Sequence, residues 1–343
     1  MTPHPASLKG ASISTCPIAV ERKCACRICD EPLASEFEVK EMMLGFRKTF
    51  LYSECPGCGC LTLLDPPGDM GAYYPNNYYA FSQPTKPSRS WMQQAKTSLR
   101  HFILYSGIPG VFAFMERHGR VTQAERWLNL GRARRSSRIL DIGCGSGHLL
   151  RELQADGYRN LTGIDPFSPS AGHIPGLRLI KGELEALKGE AFDLVMMHHS
   201  LEHVPDQVAM LSAARSLLTP KGLLLVRIPI KATAFEIYGA DWVQIDAPRH
   251  FLIHSERSLA LAASRAGLRL VSKVYDSWSF QFWGSEQYRL GIHLEDPRSV
   301  GKGGNAFSPS AIEEYNRRAG VLNTEQKGDQ GIFVFEASAN RQR

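Results

Sequence analysis

The chain reads RILDIGCGSGHLL over residues 138–150, and this stretch decides the fold. Its first residues are typical of a short buried strand, and the glycines that follow predict a tight turn into a helix. Glycines let the backbone approach a ligand closely, and the first turn of the new helix offers free N–H groups. One such turn does not identify its ligand, because dinucleotide-binding enzymes have similar turns.

The segments downstream alternate between predicted strands and helices. A second strand, over 161–165, ends in an acid about twenty residues after the turn, where a carboxylate can accept both hydroxyls of a ribose. A third ends near residue 182, and a fourth, over 192–197, leads into the sequence HHSLEHV. A helix over 206–218, a strand near 223–229 and a final strand over 331–337 complete an α/β pattern.

In this order and spacing the motifs resemble the class I S-adenosylmethionine-dependent methyltransferases. The resemblance covers roughly residues 136–275 and implies a Rossmann-like sheet of seven strands whose last strand is antiparallel. It implies S-adenosylmethionine as cofactor, with NAD as the alternative. The cofactor-binding residues that it implies are Asp141, Gly143, Cys144, Gly145, Gly147, Asp165, Glu183, Leu184, His198 and His199.

Seven of the eight cysteines lie before residue 61, and four of them form two matched CxxC pairs. Two such turns can supply the four thiolates of a closed tetrahedral zinc site, so we expect a structural zinc ribbon. Either Cys24 or Cys60 could replace one of the paired ligands. Disulfides and a redox CxxC are the alternatives, and a disulfide framework would need an oxidising compartment. The expected zinc ligands are Cys26, Cys29, Cys55 and Cys58.

Composition along the chain suggests three regions. We expect a zinc-ribbon module over 1–68, a tyrosine-rich connector with a helical layer over 69–135, and the methyltransferase core over 136–343. Within the core we expect a lid insertion around 231–254 and a mobile loop around 291–310. The connector holds four tyrosines between residues 73 and 79, which either fill a core or form a wall over a ligand. Tyr78 and Tyr79 are candidates for the wall.

The whole layout resembles bacterial methyltransferases of surface-polysaccharide, deoxysugar and secondary-metabolite pathways, in which the N-terminal zinc module helps to cover the substrate. The sequence DWVQIDAPRHF over 241–251 also resembles a segment that follows the fifth strand in such enzymes. By this resemblance, Trp242, Asp246 and Arg249 contact the substrate.

Methyl transfer from a sulfonium is an in-line displacement, so the protein must align the nucleophile and remove its proton. Histidine suits proton removal near neutral pH. His203, just past the fourth strand, and His250, beside Asp246 and Arg249, are the candidate bases, with His199 as a third. The alternatives are that His203 packs or caps the next helix and that the residues around His250 form a salt bridge within a lid.

Composition excludes several classes of protein. With 43% apolar and 22% charged residues in 343, the chain can bury a core, and no apolar run reaches the roughly 18–20 residues of a membrane span. The first twenty residues lack the apolar run of a secretory signal, so we expect a cytoplasmic protein. The net charge is +6, and residues 85–135 hold ten Lys or Arg against two acids.

Three functions follow from these features. The first is methyl transfer to a small anionic metabolite or glycan precursor, such as a nucleotide-linked sugar. The second is methylation of RNA, gripped by the zinc ribbon and the basic stretch. Nucleic acid is the less favoured substrate, because the fourth strand is not followed by the Asn/Asp-Pro-Pro-aromatic sequence of many base-amine methyltransferases. The third is a binding partner that keeps the fold without the reaction.

Overall fold

The computed structural model describes residues 25–75, 110–169 and 171–338, together with residues 92, 99, 100, 102–104 and 108. Within these residues the strands form two sheets. In chain order the strands are β1 (Ser35–Lys40), β2 (Thr49–Glu54), β3 (Leu61–Leu63), β4 (Ile139–Ile142), β5 (Leu161–Asp165), β6 (Gly172–Ile174), β7 (Leu177–Lys181), β8 (Phe192–His198), β9 (Leu218–Pro229), β10 (Leu252–Ile253), β11 (Leu268–Tyr275) and β12 (Gln330–Ala337).

The larger sheet has the strand order β11-β12-β9-β8-β4-β5-β7-β6. Strands β9, β8, β4, β5 and β7 run parallel, and β12 lies antiparallel between β9 and β11. This confirms the predicted Rossmann-like methyltransferase sheet with its antiparallel last strand. The short strand β6, which the sequence did not predict, adds an eighth strand at one edge, antiparallel to β7.

The helices cover the faces of this sheet and the end at which its parallel strands finish. In chain order, those of the described residues are α1 (Val111–Arg117), α2 (Gln123–Leu130), α3 (His148–Ala155), α4 (Gln207–Ser216), α5 (Thr233–Tyr238), α6 (Glu256–Arg265), α7 (Phe280–Arg289) and α8 (Pro309–Thr324). Thr122 and Glu125 form a reciprocal capping box at the start of α2. Leu128 of this helix packs into the same apolar cluster as Leu194 of β8.

The smaller sheet has the order β1-β2-β3-β10 and combines the N-terminal module with a strand from far along the chain. Strand β10 lies inside the predicted lid segment, and its Leu252 and Ile253 pair antiparallel with Thr62 and Leu61 of β3. The structure therefore differs from the expected lid over 231–254. Apolar side chains draw this segment into a core with β1–β3, and Trp242 of the segment is fully buried.

The segment 291–310 was predicted as a mobile loop, and the structure shows local order instead. Ser299 is buried and accepts a hydrogen bond of 3.2 Å from Gln287 of α7. The Val300 amide donates to the side-chain oxygen of Gln287 at 2.8 Å. Although the segment is rich in Gly and Ser, these hydrogen bonds hold it against α7.

Candidate functional site

The glycine turn lies at the carboxyl end of β4, where the parallel strands of such a sheet bind their ligands. Gly143 has a φ of +76°, and a Cβ at this position would come within 2.5 Å of the Cβ of Ser200. The Ser200 hydroxyl donates to the Ile142 carbonyl at 2.9 Å, so the loop after β8 packs directly on the turn. Only glycine satisfies both the left-handed backbone and this close approach.

Asp165, at the end of β5, stabilises the same turn through hydrogen bonds. Its carboxylate accepts hydrogen bonds from the Gly145 amide at 2.9 Å and from the Phe167 amide at 2.7 Å. The Ser168 hydroxyl donates to the Gly145 carbonyl at 2.8 Å. The predicted ribose-binding acid therefore lies next to the predicted glycine turn, as a shared cofactor site requires.

The remaining predicted cofactor residues surround these two. Asp141 is buried, and this burial, with the nearby Asp165 charge, raises its pKa to about 8. Burial likewise raises the pKa of the Cys144 thiol, which therefore stays protonated at neutral pH. Glu183 is exposed and Leu184 is half-buried, and both come just after β7. Because β5 and β7 run parallel, they lie at the same end of the sheet as Asp165.

His198 and His199 at the end of β8 have different surroundings. The His198 ring packs on Trp127 of α2 with 4.2 Å between ring centroids, and neither of its nitrogens has a hydrogen-bond partner in the described part of the chain. Burial holds the pKa of His198 well below its usual value. His199 has a φ of +50° and both of its nitrogens are engaged.

The contacts of His199 fix its tautomer. The Arg227 guanidinium lies 2.8 Å from Nε2 and can only donate, so Nδ1 carries the proton and faces Glu202 Oε1 at 3.2 Å. Arg227 is held in turn by Asp276 at 2.6 Å. Neither nitrogen of His199 is open to an acceptor hydroxyl, so this geometry does not support His199 as a base.

His203 and His250 meet edge to face with 4.7 Å between their ring centroids. Nδ1 of His250 donates to the Gln244 carbonyl at 2.8 Å, and Nδ1 of His203 donates to the Arg249 carbonyl at 3.1 Å. A carbonyl oxygen only accepts, so each Nε2 keeps its lone pair. Burial and the neighbouring His250 lower the pKa of His203 to about 4, and this ring is therefore neutral at pH 7.

Tyr74 contacts residues on both the cofactor side and the candidate-base side of the site. Its hydroxyl lies 3.1 Å from Nδ1 of His203, and its ring stacks on that of Phe167 with 6.3 Å between centroids and 9° between planes. Phe167 is 61% exposed and follows Asp165 by two residues. These contacts link the predicted cofactor residues to the candidate bases. We call the neighbourhood of Tyr74, Phe167, His203 and His250 the acceptor crevice.

The predicted substrate contacts have other roles in the described residues. Trp242 is buried and donates from Nε1 to Asp329 at 3.0 Å. Arg249 is fully buried, and its guanidinium pairs with Asp246 and donates to the Tyr73 carbonyl at 3.2 Å. Burial opposes ionisation of Asp246, yet the Arg249 charge lowers its pKa to about 2. Tyr78 and Tyr79 lie outside the described residues.

The cysteines of the N-terminal module converge, with Cys60 in the group of four where the sequence predicted Cys29. The thiols of Cys26, Cys55, Cys58 and Cys60 all lie within 4.8 Å of one another, and Cys29 Sγ is 3.3 Å from Cys55 Sγ. The group of four therefore includes Cys60, the predicted alternative ligand, and Cys29 lies beside it next to Cys55. The Cys58 and Ile28 amides face the Cys55 and Cys26 sulfurs at 3.4 Å, an arrangement that stabilises thiolates. Cys24 lies outside the described residues.

The cysteine module also positions the histidine-bearing segment. The Tyr52 hydroxyl of β2 donates to the His250 carbonyl at 2.8 Å, and the Leu63 amide of β3 donates to the Phe251 carbonyl at 2.9 Å. On the other side, the Phe251 amide donates to the Glu202 carbonyl at 2.9 Å. The backbone around His250 is therefore held between the N-terminal sheet and the loop after β8.

Sequence reasoning missed Tyr52, Tyr74, Phe167 and Glu202. Tyr74 belongs to the tyrosine-rich run, and Glu202 directly precedes a candidate base, so both had a local signal. Tyr52 had none, because its partner His250 lies 198 residues away.

Comparison with known proteins agrees with this geometry. A family model described as "Methyltransferase domain" matches residues 115–273. A curated ubiquinone biosynthesis O-methyltransferase of Methylocella silvestris is 35% identical over 170 residues, which cover 44% of this chain and 66% of the relative. One of the same name from Stutzerimonas stutzeri is 35% identical over 138 residues, 36% of this chain and 59% of the relative. The chain spans about half to two thirds of the length of such relatives.

A solved SAM-dependent methyltransferase from Archaeoglobus fulgidus is 19% identical, with a TM-score of 0.40, covering 66% of this chain and 99% of its own. The cysteine module lies before the residues that the family model matches. Among the described residues, no helix has the length and apolar character needed to cross a membrane. The sheet order, the glycine turn and the family match together show that this chain contains a class I methyltransferase domain.

Proposed function

We propose that this protein transfers a methyl group from S-adenosylmethionine to an oxygen atom of a small molecule bound in the acceptor crevice. The observation that carries the proposal is the position of Tyr74. It contacts Phe167, beside the predicted ribose-binding Asp165, and also His203, beside the second candidate base. The two sites that methyl transfer requires therefore adjoin one another.

The residues around the turn fit S-adenosylmethionine. Gly143, Gly145 and Gly147 all have positive φ, and having no side chains of their own they let the backbone at the end of β4 approach a ligand closely. Asp141 would hold the amino group and Asp165 the ribose, and Glu183 with Leu184 would flank the adenine. When bound, the cofactor supplies an electrophilic methyl group and a neutral thioether as leaving group. The protein aligns the acceptor and removes its proton.

The lone pairs on His203 and His250 support the hypothesis that one of these rings takes up the acceptor's proton. The hydroxyl of Tyr74 can orient either His203 or the acceptor itself. An oxygen acceptor is favoured because the curated relatives are named O-methyltransferases. A glycan precursor such as a nucleotide-linked sugar fits this class. Arg249 is not used as a receptor for an anionic group, because it is buried and paired with Asp246.

We further propose that the cysteine cluster binds one structural zinc ion. The support is the convergence of buried thiols with backbone amides aimed at two of the sulfurs. With thiolates at every position the metal has no open site, so its role would be to hold the N-terminal sheet against the histidine-bearing segment.

The experiment that tests the proposal is incubation of the protein and a bacterial extract with methyl-labelled S-adenosylmethionine, with and without ribonuclease. Label in the small-molecule fraction that resists ribonuclease is the expected result. Label in large, ribonuclease-sensitive material would instead support RNA methylation. His203→Ala and His250→Ala should each reduce turnover and leave the affinity for the cofactor unchanged.

A further inference from the structure

Glu202 has an unusual position for a carboxylate. It is 2% exposed, and its Oε1 is held by His199, but its Oε2 has no hydrogen-bond partner among the described residues. No Lys or Arg of those residues forms an ion pair with it. It is thus a buried carboxyl group with one oxygen that no described residue contacts by a hydrogen bond.

The rings of His203 and His250 lie beside this oxygen. One ring nitrogen of each histidine and one carboxylate oxygen of Glu202 lie within 4.8 Å of one another. Ligand atoms in a tetrahedral zinc site are about 3.3 Å apart. The distances between these three atoms would therefore have to shorten by at most roughly 1.5 Å for them to bind one ion.

The tautomers suit metal binding. Metal-ligating histidines commonly donate their other N–H to a backbone carbonyl, which fixes the ring and makes the free nitrogen more basic. His203 and His250 both do this, through the Arg249 and Gln244 carbonyls. In this tautomer the Nε2 of each ring keeps its lone pair.

The local charge also favours a cation. Glu41, Asp246 and Glu202 are acids of this region, and the guanidinium of Arg249 is placed against Asp246 and Glu41. Apart from the histidines, these three acids and one arginine leave an excess of negative charge. A buried carboxylate is normally balanced by a cation or a metal ion.

We propose that Glu202, His203 and His250 form a second metal site, separate from the cysteine cluster, which binds one divalent transition-metal ion. Two imidazoles with one carboxylate suit zinc, cobalt, nickel or iron better than magnesium or calcium. Three protein ligands leave at least one coordination position open, as in catalytic rather than structural sites. The natural further ligand is a hydroxyl oxygen of the acceptor.

This inference deepens the proposed function and rests on it for its catalytic consequence. With the cation bound, His203 and His250 act as its ligands, and the cation lowers the pKa of the acceptor hydroxyl in place of a histidine base. The hydroxyl proton then passes to solvent water. The oxygen forms the new C–O bond as the C–S bond of the cofactor breaks, leaving a neutral thioether.

Cobalt(II) absorption tests the site directly. The full-length protein, with its cysteine cluster filled with zinc, is freed of loosely bound metal and titrated with Co²⁺. We expect one Co²⁺ per chain, with visible bands of nitrogen and oxygen ligands and without thiolate charge-transfer bands. Glu202→Gln and His250→Ala should weaken binding at least tenfold, and His148→Ala, an exposed histidine paired with Glu152, should not.

A pulsed EPR measurement on the wild-type protein with Cu²⁺ tests the same site without any variant, so it does not depend on whether the variants fold. It should detect two coordinated imidazoles. Binding that is equal in wild type and Glu202→Gln, or wild-type protein without coordinated imidazole, would overturn the proposal. Methyl transfer that continues at full rate with this site emptied would remove its catalytic role. The proposed methyltransferase function would then stand, with a histidine as the base.

Discussion

Tyr52 and His250, 198 residues apart, are joined by a hydrogen bond of 2.8 Å from the tyrosine hydroxyl to the histidine carbonyl. The tyrosine belongs to β2 of the cysteine module and is fully buried, and the histidine borders the acceptor crevice. The N-terminal module thus contributes to the position of a residue proposed to act in methyl transfer.

Replacing Tyr52 with Phe removes this hydrogen bond and leaves the His250 carbonyl without its donor. We expect a loss of about 1–3 kcal/mol in the free energy of unfolding, measured with urea, together with lower turnover and unchanged cofactor affinity. Tyr275→Phe is the matched control, because it removes a hydrogen bond to Glu256 outside the crevice. Equal turnover in the two variants would show that Tyr52 has no positioning role.

Gly143→Ala tests the glycine turn. The added Cβ would meet Ser200 at 2.5 Å in a left-handed backbone, which costs roughly 1–3 kcal/mol. We expect cofactor affinity, measured by calorimetry, to fall by about tenfold or more. Gly239→Ala is the control, since Gly239 also has a positive φ but no atom lies within 4 Å of the added Cβ. An unchanged affinity in Gly143→Ala would contradict the predicted cofactor site.

Asp141 should make the stability of the protein depend on pH. Burial, with the Asp165 charge, raises its folded-state pKa to about 8 from 3.8, so between these values the folded protein holds a proton that the unfolded chain has lost. Its contribution to stability therefore falls as pH rises through that window, by at most about 1.4 kcal/mol per pH unit, and levels off above pH 8. Urea unfolding at pH 5–9 should show a smaller decline in Asp141→Asn than in wild type. Parallel curves would contradict this.

The cysteine cluster gives a prediction about metal content. Cys55 belongs to the four converging thiols and also contacts Cys29, so Cys55→Ser should lose the zinc that elemental analysis is expected to find in wild type. Cys144→Ser should keep it, because this thiol lies in the glycine turn. Since β3 pairs with β10 next to His250, loss of the zinc should also lower turnover more than cofactor affinity. Full zinc content in Cys55→Ser would refute the assignment.

The sequence was sufficient for much of the fold. Local patterns mark the buried strand and glycine turn at 138–150 and the apolar last strand, whose predicted span of 331–337 falls within β12. Spacing also brings Cys26, Cys55 and Cys58 together, since each CxxC turn places its thiols on one side. These features depend on residues that are close together in the sequence, so a local pattern is enough to predict them.

The rest depends on contacts between distant parts of the chain. The pairing of the segment 231–254 with β1–β3 could not be predicted, because the sequence of the segment does not reveal this distant partner. Arg249 was expected to face the substrate, and its guanidinium is instead buried against Asp246. Tyr74 enters the crevice only because the N-terminal module packs on the loop that carries His203.

The most direct test of the central claim is methyl transfer from labelled S-adenosylmethionine to small molecules of a bacterial extract, compared between wild type, His203→Ala and His250→Ala. The account predicts ribonuclease-resistant label on a small molecule with wild type, at least tenfold less with each variant, and equal cofactor affinity in all three. Labelling by both variants at the wild-type rate, or label found only in ribonuclease-sensitive material, would contradict it.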